Sequence, residues 1–425
     1  MSMNSPLSRR NLLKGAAALS LSTQASALAR MNGYGFDESH RTRSLVLIYL
    51  RGGADFLNMI VPRTDPSYEL CRPTIGIKAD EVVELSRNWG LHPALAALKP
   101  IYEEELLVPY IGVGSPHPTR SHFDAQDFMN FGAPGDRSVV NGWMNRYLTL
   151  SQKTEEGTQN EFRGIGMQRL LPIAVRGSYP VLAVPDDFAS RRATSVLDRF
   201  GKFYGADGEV KEDSEGEMGS RPQPADGLDV LQSGKNTIES LRRFREIVSA
   251  KGLQNFGYPD TSIGEGMQRI AQVILSGEGL EVAAIDFNGW DHHARQGGAR
   301  GSQANKLKEL GDALAAFRKQ LGERIGETMV MVMTEFGRTV HENGSGGTDH
   351  GHGSGMFLMG GGLRGGKVHG SFDGLRTNSL YEGRDLPVTT DYRDVIAAVL
   401  RGHMNFKAPK DFFPDYKAKK LKLFK

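Results

Sequence analysis

Ser44-Leu45-Val46-Leu47-Ile48-Tyr49-Leu50, running directly into Arg51-Gly52-Gly53-Ala54-Asp55, is the stretch whose reading decides the fold class. A strand with one wet face alternates apolar and polar residues, whereas this one is apolar almost without a break. That is the pattern of a strand buried on both faces of a parallel sheet. It ends abruptly in two glycines and an acid, at the carboxyl end of the strand, where open α/β sheets bind their ligands.

The same grammar recurs along the chain. Leu106 to Gly112 leads into the loop 113–120, Val282 to Ile285 into Asp286-Phe287-Asn288-Gly289-Trp290-Asp291, and Met329 to Met333 into Thr334-Glu335-Phe336-Gly337-Arg338. Helical periodicity fills Pro93–Tyr102, Ser121–Phe131, Leu228–Val248, Ile263–Leu275 and Gln303–Leu321. The alternation of strand and helix predicts an α/β protein. Length allows two or three domains in 425 residues, but the residues that look chemical are spread from 55 to 352, which favours one domain over 30–425. The polar stretch Ala206–Ala225 reads as a surface insertion near 206–225.

Composition sets outer limits. At 39% hydrophobic and 24% charged the chain is neither collagenous, coiled-coil nor wholly disordered. Without Arg9, Arg10 and Lys14 it carries 49 basic against 50 acidic residues, so there is no electrostatic case for nucleic acid. The segment 407–425 holds seven lysines and reads as a solvated, basic C-terminal tail.

Ser8-Arg9-Arg10-Asn11-Leu12-Leu13-Lys14, a weakly apolar stretch from Gly15 to Leu28, and Ala27-Leu28-Ala29 together predict a twin-arginine signal peptide over 1–29. The apolar stretch is too short and too polar to be a membrane span. The expected location is periplasmic or secreted, with the twin-arginine translocase as a transient partner. The single cysteine, Cys71, permits no intrachain disulfide and reads as a small buried hydrophobe.

Three segments concentrate metal-ligand types: Asp286 to His293, Glu335 to His341, and Thr348-Asp349-His350-Gly351-His352. Carboxylate and imidazole together suit zinc or a similar divalent ion. A candidate nucleophile stands in Ser115-Pro116-His117-Pro118-Thr119-Arg120-Ser121-His122-Phe123-Asp124, where Ser121 opens a helix and meets its unpaired N–H groups and positive dipole end. Capping the helix is the alternative role for that hydroxyl.

The leader, L-R-G-G-A-D-F-L-N at 50–58, T-R-S-H-F-D-A-Q-D at 119–127, G-W-D-H-H at 289–293, T-E-F-G-R-T at 334–339, G-T-D-H-G at 347–351 and G-G-G-L-R-G-G-K-V-H-G at 360–370 resemble the bacterial family catalogued as domain of unknown function 1501. That family is in turn similar to the alkaline phosphatase superfamily, which includes sulfatases. The resemblance implies a three-layer α/β fold with a central, mostly parallel sheet flanked by helices. It implies one or two divalent ions, with Asp55, Asp291, His293, Glu335, Asp349 and either His350 or His352 as ligands. Phe336, where the superfamily has a histidine, counts against a second ion. It implies Ser121 as nucleophile, Thr119 as the substitute, and Arg120 or Arg338 as phosphoryl clamp.

The activity this predicts is hydrolysis of a phosphate ester, of a small molecule or a polymer. Sulfate esters fit less well, because His117 stands where the sulfatase C-x-P-x-R pattern or its Ser variant needs Pro. The alternative is an exported protein that keeps the fold and an ion without catalysis and serves as a binding or assembly partner. A dinucleotide fingerprint and the cysteines for an iron–sulfur cluster are both missing. Oligomeric state is not legible in the sequence.

Overall fold

A computed structural model describes residues 42–152, 161–185, 188, 230–249 and 254–425. The leader and the 206–225 insertion lie outside the described residues. The opening run forms strand β1 (Ser44–Arg51), with Leu45 to Leu50 no more than 1% exposed. Val46, Ile48 and Leu50 join one hydrophobic core and Leu45, Leu47 and Tyr49 the other. Successive side chains of a strand point to opposite faces, so burial on both sides demands an unbroken apolar sequence.

The remaining strands are β2 (Ile60–Val61), β3 (Val83–Glu84), β4 (Gly90–Leu91), β5 (Leu107–Gly114), β6 (Gly164–Gly166), β7 (Leu182–Ala183), β8 (Val282–Asn288), β9 (Thr328–Thr334), β10 (Ser354–Gly360) and β11 (Thr390–Asp391). Among the described residues, eight form one sheet in the order β11-β5-β10-β9-β1-β8-β6-β7, while β2, β4 and β3 form a small antiparallel sheet. Only β10 runs against its neighbours in the large sheet. The expected three-layer α/β architecture with a mostly parallel sheet is therefore present.

One face is covered by Pro93–Glu103 and by the helices Val230–Val248, Ser262–Ser276 and Ser302–Leu321. The other is covered by the helices Trp143–Leu150 and Tyr392–Gly402. Helix Ser262–Ser276 illustrates local specification. Thr261 accepts a hydrogen bond from the Gly264 N–H, Gly277 ends the helix in a left-handed turn, and Met267, Ile270 and Ile274 form a buried stripe. Truncating one such core side chain to Ala costs about 2–5 kcal/mol.

The segment 407–425 departs from its sequence reading. Phe412, Phe413 and Leu423 are buried against the second face, and the Lys425 N–H donates to the Gly362 carbonyl, so this is a packed strap with lysines between its anchors. Three apolar side chains outweigh the lysines, which stay wet while the anchors bury. No helix among the described residues is long and apolar enough to cross a membrane.

Register sets up the site. Leu50 pairs with Thr334 and Arg51 with Asn288, so β1, β8 and β9 end level. The loops after them, the helix start after β5 and the approach to the antiparallel β10 all open on this one edge.

Candidate metal and hydrolytic centre

Four side chains meet at that edge. Asp291 and His293 come from the loop after β8, His350 from the approach to β10, and His122 from the first turn of helix His122–Phe131 after β5. Ligand atoms of His122, Asp291 and His350 all lie within 4.8 Å of one another. His122 Nε2 is 3.3 Å from Asp291 Oδ2, and His350 Nε2 is 3.3 Å from Asp291 Oδ1. His293 Nε2 lies 3.0 Å from Asp291 Oδ1 and 2.9 Å from His350 Nε2.

The other nitrogen of each imidazole is fixed from behind. His122 Nδ1 donates to Glu335 Oε1 (2.7 Å), His293 Nδ1 to Asp349 Oδ1 (3.0 Å), and His350 Nδ1 to the Arg120 carbonyl (2.7 Å). Each acceptor can only receive, so each Nδ1 carries a proton and each ring turns its Nε2 into the cluster. His122 Nε2 is buried and has no hydrogen-bond partner. Imidazoles placed in this way can turn three nitrogen lone pairs and a carboxylate on one point, where a cation is favourable. The set fits a divalent ion, down to the acceptor behind each imidazole that such sites use to orient their ligands.

Electrostatics follow the same geometry. Burial works against the Asp291 carboxylate, but the hydrogen bond and charge of Arg338, with His122 and His293, hold its pKa at about 2. Burial also works against Glu335, and hydrogen bonds from His122, Gln126 and Gly52 overcome it to keep the carboxyl below its ordinary range. For His122, burial favours the neutral ring, but Glu335 and Asp291 outweigh it and raise the pKa. His350 goes down, chiefly through burial, with His122 and Arg338 adding to it.

Beneath the cluster a line of hydrogen bonds braces His122. Arg51 donates to Gln126 Oε1 (2.5 Å) and Gln126 Nε2 to Glu335 Oε1 (2.9 Å), while the Gly52 N–H adds a third donor to that oxygen (2.8 Å). Gly52 has φ +118°, and a Cβ there would lie 2.6 Å from the Asp291 N, so only glycine lets the β1 turn pack against the β8 loop.

The structure sorts the sequence-predicted residues. Asp291, His293 and His350 converge; Glu335 and Asp349 touch the cluster through His122 and His293. Asp55 does not join them. Its carboxylate is buried in an ion pair with Arg72 (2.6 Å) and accepts from Gln296 (2.7 Å), so its charge is already matched inside the fold. His352 is also apart, buried and stacked on Tyr381 with ring centroids 4.3 Å apart.

Neither arginine is a free phosphoryl clamp. Arg338 is buried and gives its donors to the Gly52, Gly53, Thr348 and Trp290 carbonyls and to Asp291 Oδ1. It acts on the loops and on Asp291. Arg120 pairs with Glu382 (2.7 Å) and Asp385 (2.8 Å). Phe336 packs its ring on His122 and His350, at 4.8 and 4.9 Å between centroids, and walls off one side of the centre with carbon.

Ser121 is exposed and occupies the N-cap position, yet its hydroxyl makes no capping hydrogen bond. It stands between Arg120, whose carbonyl holds His350, and His122 itself. The Thr119 hydroxyl, by contrast, accepts from the Ser121 N–H (3.2 Å). His122 is the residue that sequence reasoning misses. The signal was available, a histidine just past an apolar strand, but the neighbouring hydroxyl drew the reading.

No curated protein matches this chain. Among solved structures, a 2-O GAG sulfatase aligns with TM-score 0.33 and 8% identity over 87% of this chain and 72% of its own. A sulfatase from Pseudoalteromonas sp. aligns with TM-score 0.33 and 14% identity over 89% and 70%. Scores this low support nothing about activity. Residues 189–411, more than half of the sequence, match one family profile, and the chain belongs to the family described as "Protein of unknown function (DUF1501)".

Proposed function

We propose that this chain is an exported, metal-dependent hydrolase of phosphate esters with Ser121 as its nucleophile, on the plan of the alkaline phosphatase superfamily. One observation carries the reading: three imidazole Nε2 atoms converge on Asp291, each ring held from behind by an acceptor, beside an uncommitted hydroxyl at a helix start. His122, His293, His350 and Asp291 would hold one ion, and three nitrogens with one carboxylate suit zinc. When bound, the ion supplies electrophilic polarisation of an ester oxygen.

The remaining work falls to the chain's own groups. Glu335, Asp349 and the Arg120 carbonyl keep the Nδ1 protons in place, and Arg338 keeps Asp291 ionised. Ser121 Oγ gives up its proton to solvent as it attacks phosphorus in line with the leaving oxygen, the P–O bond to the alcohol breaks with its electron pair leaving on oxygen, and solvent protonates that oxygen. Water then cleaves the phosphoserine. The N–H groups of the helix's first turn, which the Ser121 hydroxyl does not cap, lie where negative charge on the transferring group is favourable.

Export rests on Arg9-Arg10 and Ala27-Leu28-Ala29, with the translocase as partner on the way out. The second reading, a metal-holding or assembly protein without catalysis, draws on the Phe336 ring, which stands where the superfamily has a histidine and counts against a second ion. Elemental analysis of protein purified without added metal, followed by a panel of phosphate monoesters, diesters and sulfate esters, separates them. Turnover of a phosphate ester that Ser121→Ala abolishes supports the hydrolase. A sulfate ester as sole substrate moves the reading to sulfatase chemistry, and no turnover by metal-loaded protein supports the second reading.

A further inference from the structure

A cleft of about 570 Å³, separate from the metal cluster, opens between the turn after β2 and the loop 370–379. It is preformed. Asp65 Oδ1 accepts from the Ser67 N–H (2.9 Å) and Oδ2 from the Leu375 N–H (2.8 Å), so one carboxylate ties the two walls together. Trp89 and Phe372, both half-buried, meet edge to face with ring centroids 4.9 Å apart at 67°. Asp373, Arg376 and Asn378 also line it. Among the described residues, their side chains and the Trp89 indole N–H have no hydrogen-bond or ion-pair partner.

We propose that this cleft binds a neutral saccharide. Arg376 is the one cation in the lining against Asp65 and Asp373, so an anion meets net repulsion. The lining is more polar than apolar, so an alkyl chain finds too little wall. A sugar ring satisfies both halves of the site. Its C–H face lies on the aromatic pair, and its neighbouring hydroxyls, which donate and accept, match a carboxylate, a guanidinium fork and an amide. The assignment does not depend on what the metal cluster does.

The chain has three tryptophans, and Trp143 and Trp290 are fully buried, so a ligand in this cleft reports through Trp89 alone. Intrinsic fluorescence of the full chain is titrated with neutral gluco-, manno-, galacto- and N-acetylglucosamine tetrasaccharides, and separately with heparin and a proline-rich peptide. At least one neutral tetrasaccharide is expected to shift or quench the emission saturably. Arg376→Ala and Asn378→Ala are each expected to weaken that binding about tenfold, with metal content unchanged. Trp89→Ala, which removes the reporter and is therefore followed by calorimetry, is expected to abolish binding; should it fail to fold, Trp89→Phe with the same detection retains binding and takes its place. Silence toward all four neutral sugars overturns the proposal. So does a response only to heparin or to the peptide, or tetrasaccharide binding that is unaffected by both the Arg376 and Asn378 variants.

Discussion

Glu335→Gln tests the logic of the centre without removing any of the four proposed ligands. The side chain is fully buried, and Oε1 receives three donors: the Gly52 N–H at 2.8 Å, Gln126 Nε2 at 2.9 Å and His122 Nδ1 at 2.7 Å. Hydrogen bonds to a charged acceptor contribute about 1.5–3 kcal/mol and those to a neutral one about 0.5–1.5, so neutralising the oxygen weakens the three by about 3 kcal/mol in total. Removing a buried charge returns a desolvation term of several kcal/mol. The two nearly cancel, and the metal-free protein is expected to lose no more than about 1–2 kcal/mol, read from urea unfolding in chelator. Metal affinity behaves differently. The amide oxygen still accepts from His122 Nδ1 but no longer makes Nε2 more basic, and loss of such a partner costs about 10–100-fold in affinity. Competition with a chromophoric chelator measures it. An affinity within about twofold of wild type, in a variant with normal unfolding, refutes the claim that Glu335 acts through His122.

Ser121→Ala removes a hydroxyl that caps nothing, so stability is expected to change by less than about 0.5 kcal/mol while phosphoesterase turnover falls on the order of a thousandfold or more; retained turnover removes Ser121 as nucleophile. Gly52→Ala forces a Cβ to 2.6 Å from the Asp291 N at a φ that side chains rarely adopt, and is expected to cost about 2–4 kcal/mol and to lower metal content, checked by calorimetry and elemental analysis. His403, buried with Nε2 donating to the Ser44 carbonyl, has its pKa pushed down by burial from 6.5 to about 4. The unfolded chain therefore takes up a proton that the folded chain refuses, and stability is complete above the unfolded value and falls as pH drops from about 6.5 to about 4, by about 3 kcal/mol. His403→Gln is expected to flatten that part of the stability–pH curve, and an unchanged slope in urea unfolding across the range counts against the assignment.

The strands and their order of appearance were legible because a strand buried on both faces can carry little but apolar residues, and the polar residues just past its carboxyl end mark the ligand edge. β1, β5, β8 and β9 each answer to such a run, and Asp291, His293 and Glu335 lie just beyond β8 and β9, while His350 comes ahead of β10. Shorter pieces escaped this reading. Strands of two or three residues such as β6 and β7 have no periodicity to read, and the strap at 407–425 looks solvated until Phe412, Phe413 and Leu423 find their face of the sheet.

Within the site, sequence names the residue types and their edge, and tertiary structure alone decides which side chains meet. Asp55 leaves a strand end like the others, but Arg72 and Gln296, 17 and 241 residues away, turn it inward. His122 enters because Glu335, 213 residues on, holds its far nitrogen, and Arg338 looks like a free cation until four carbonyls and Asp291 consume it. The reason is physical: an apolar run is a local property, repeated residue by residue along the chain, whereas the direction of a polar side chain is set by donors and acceptors that only folding brings within 3 Å.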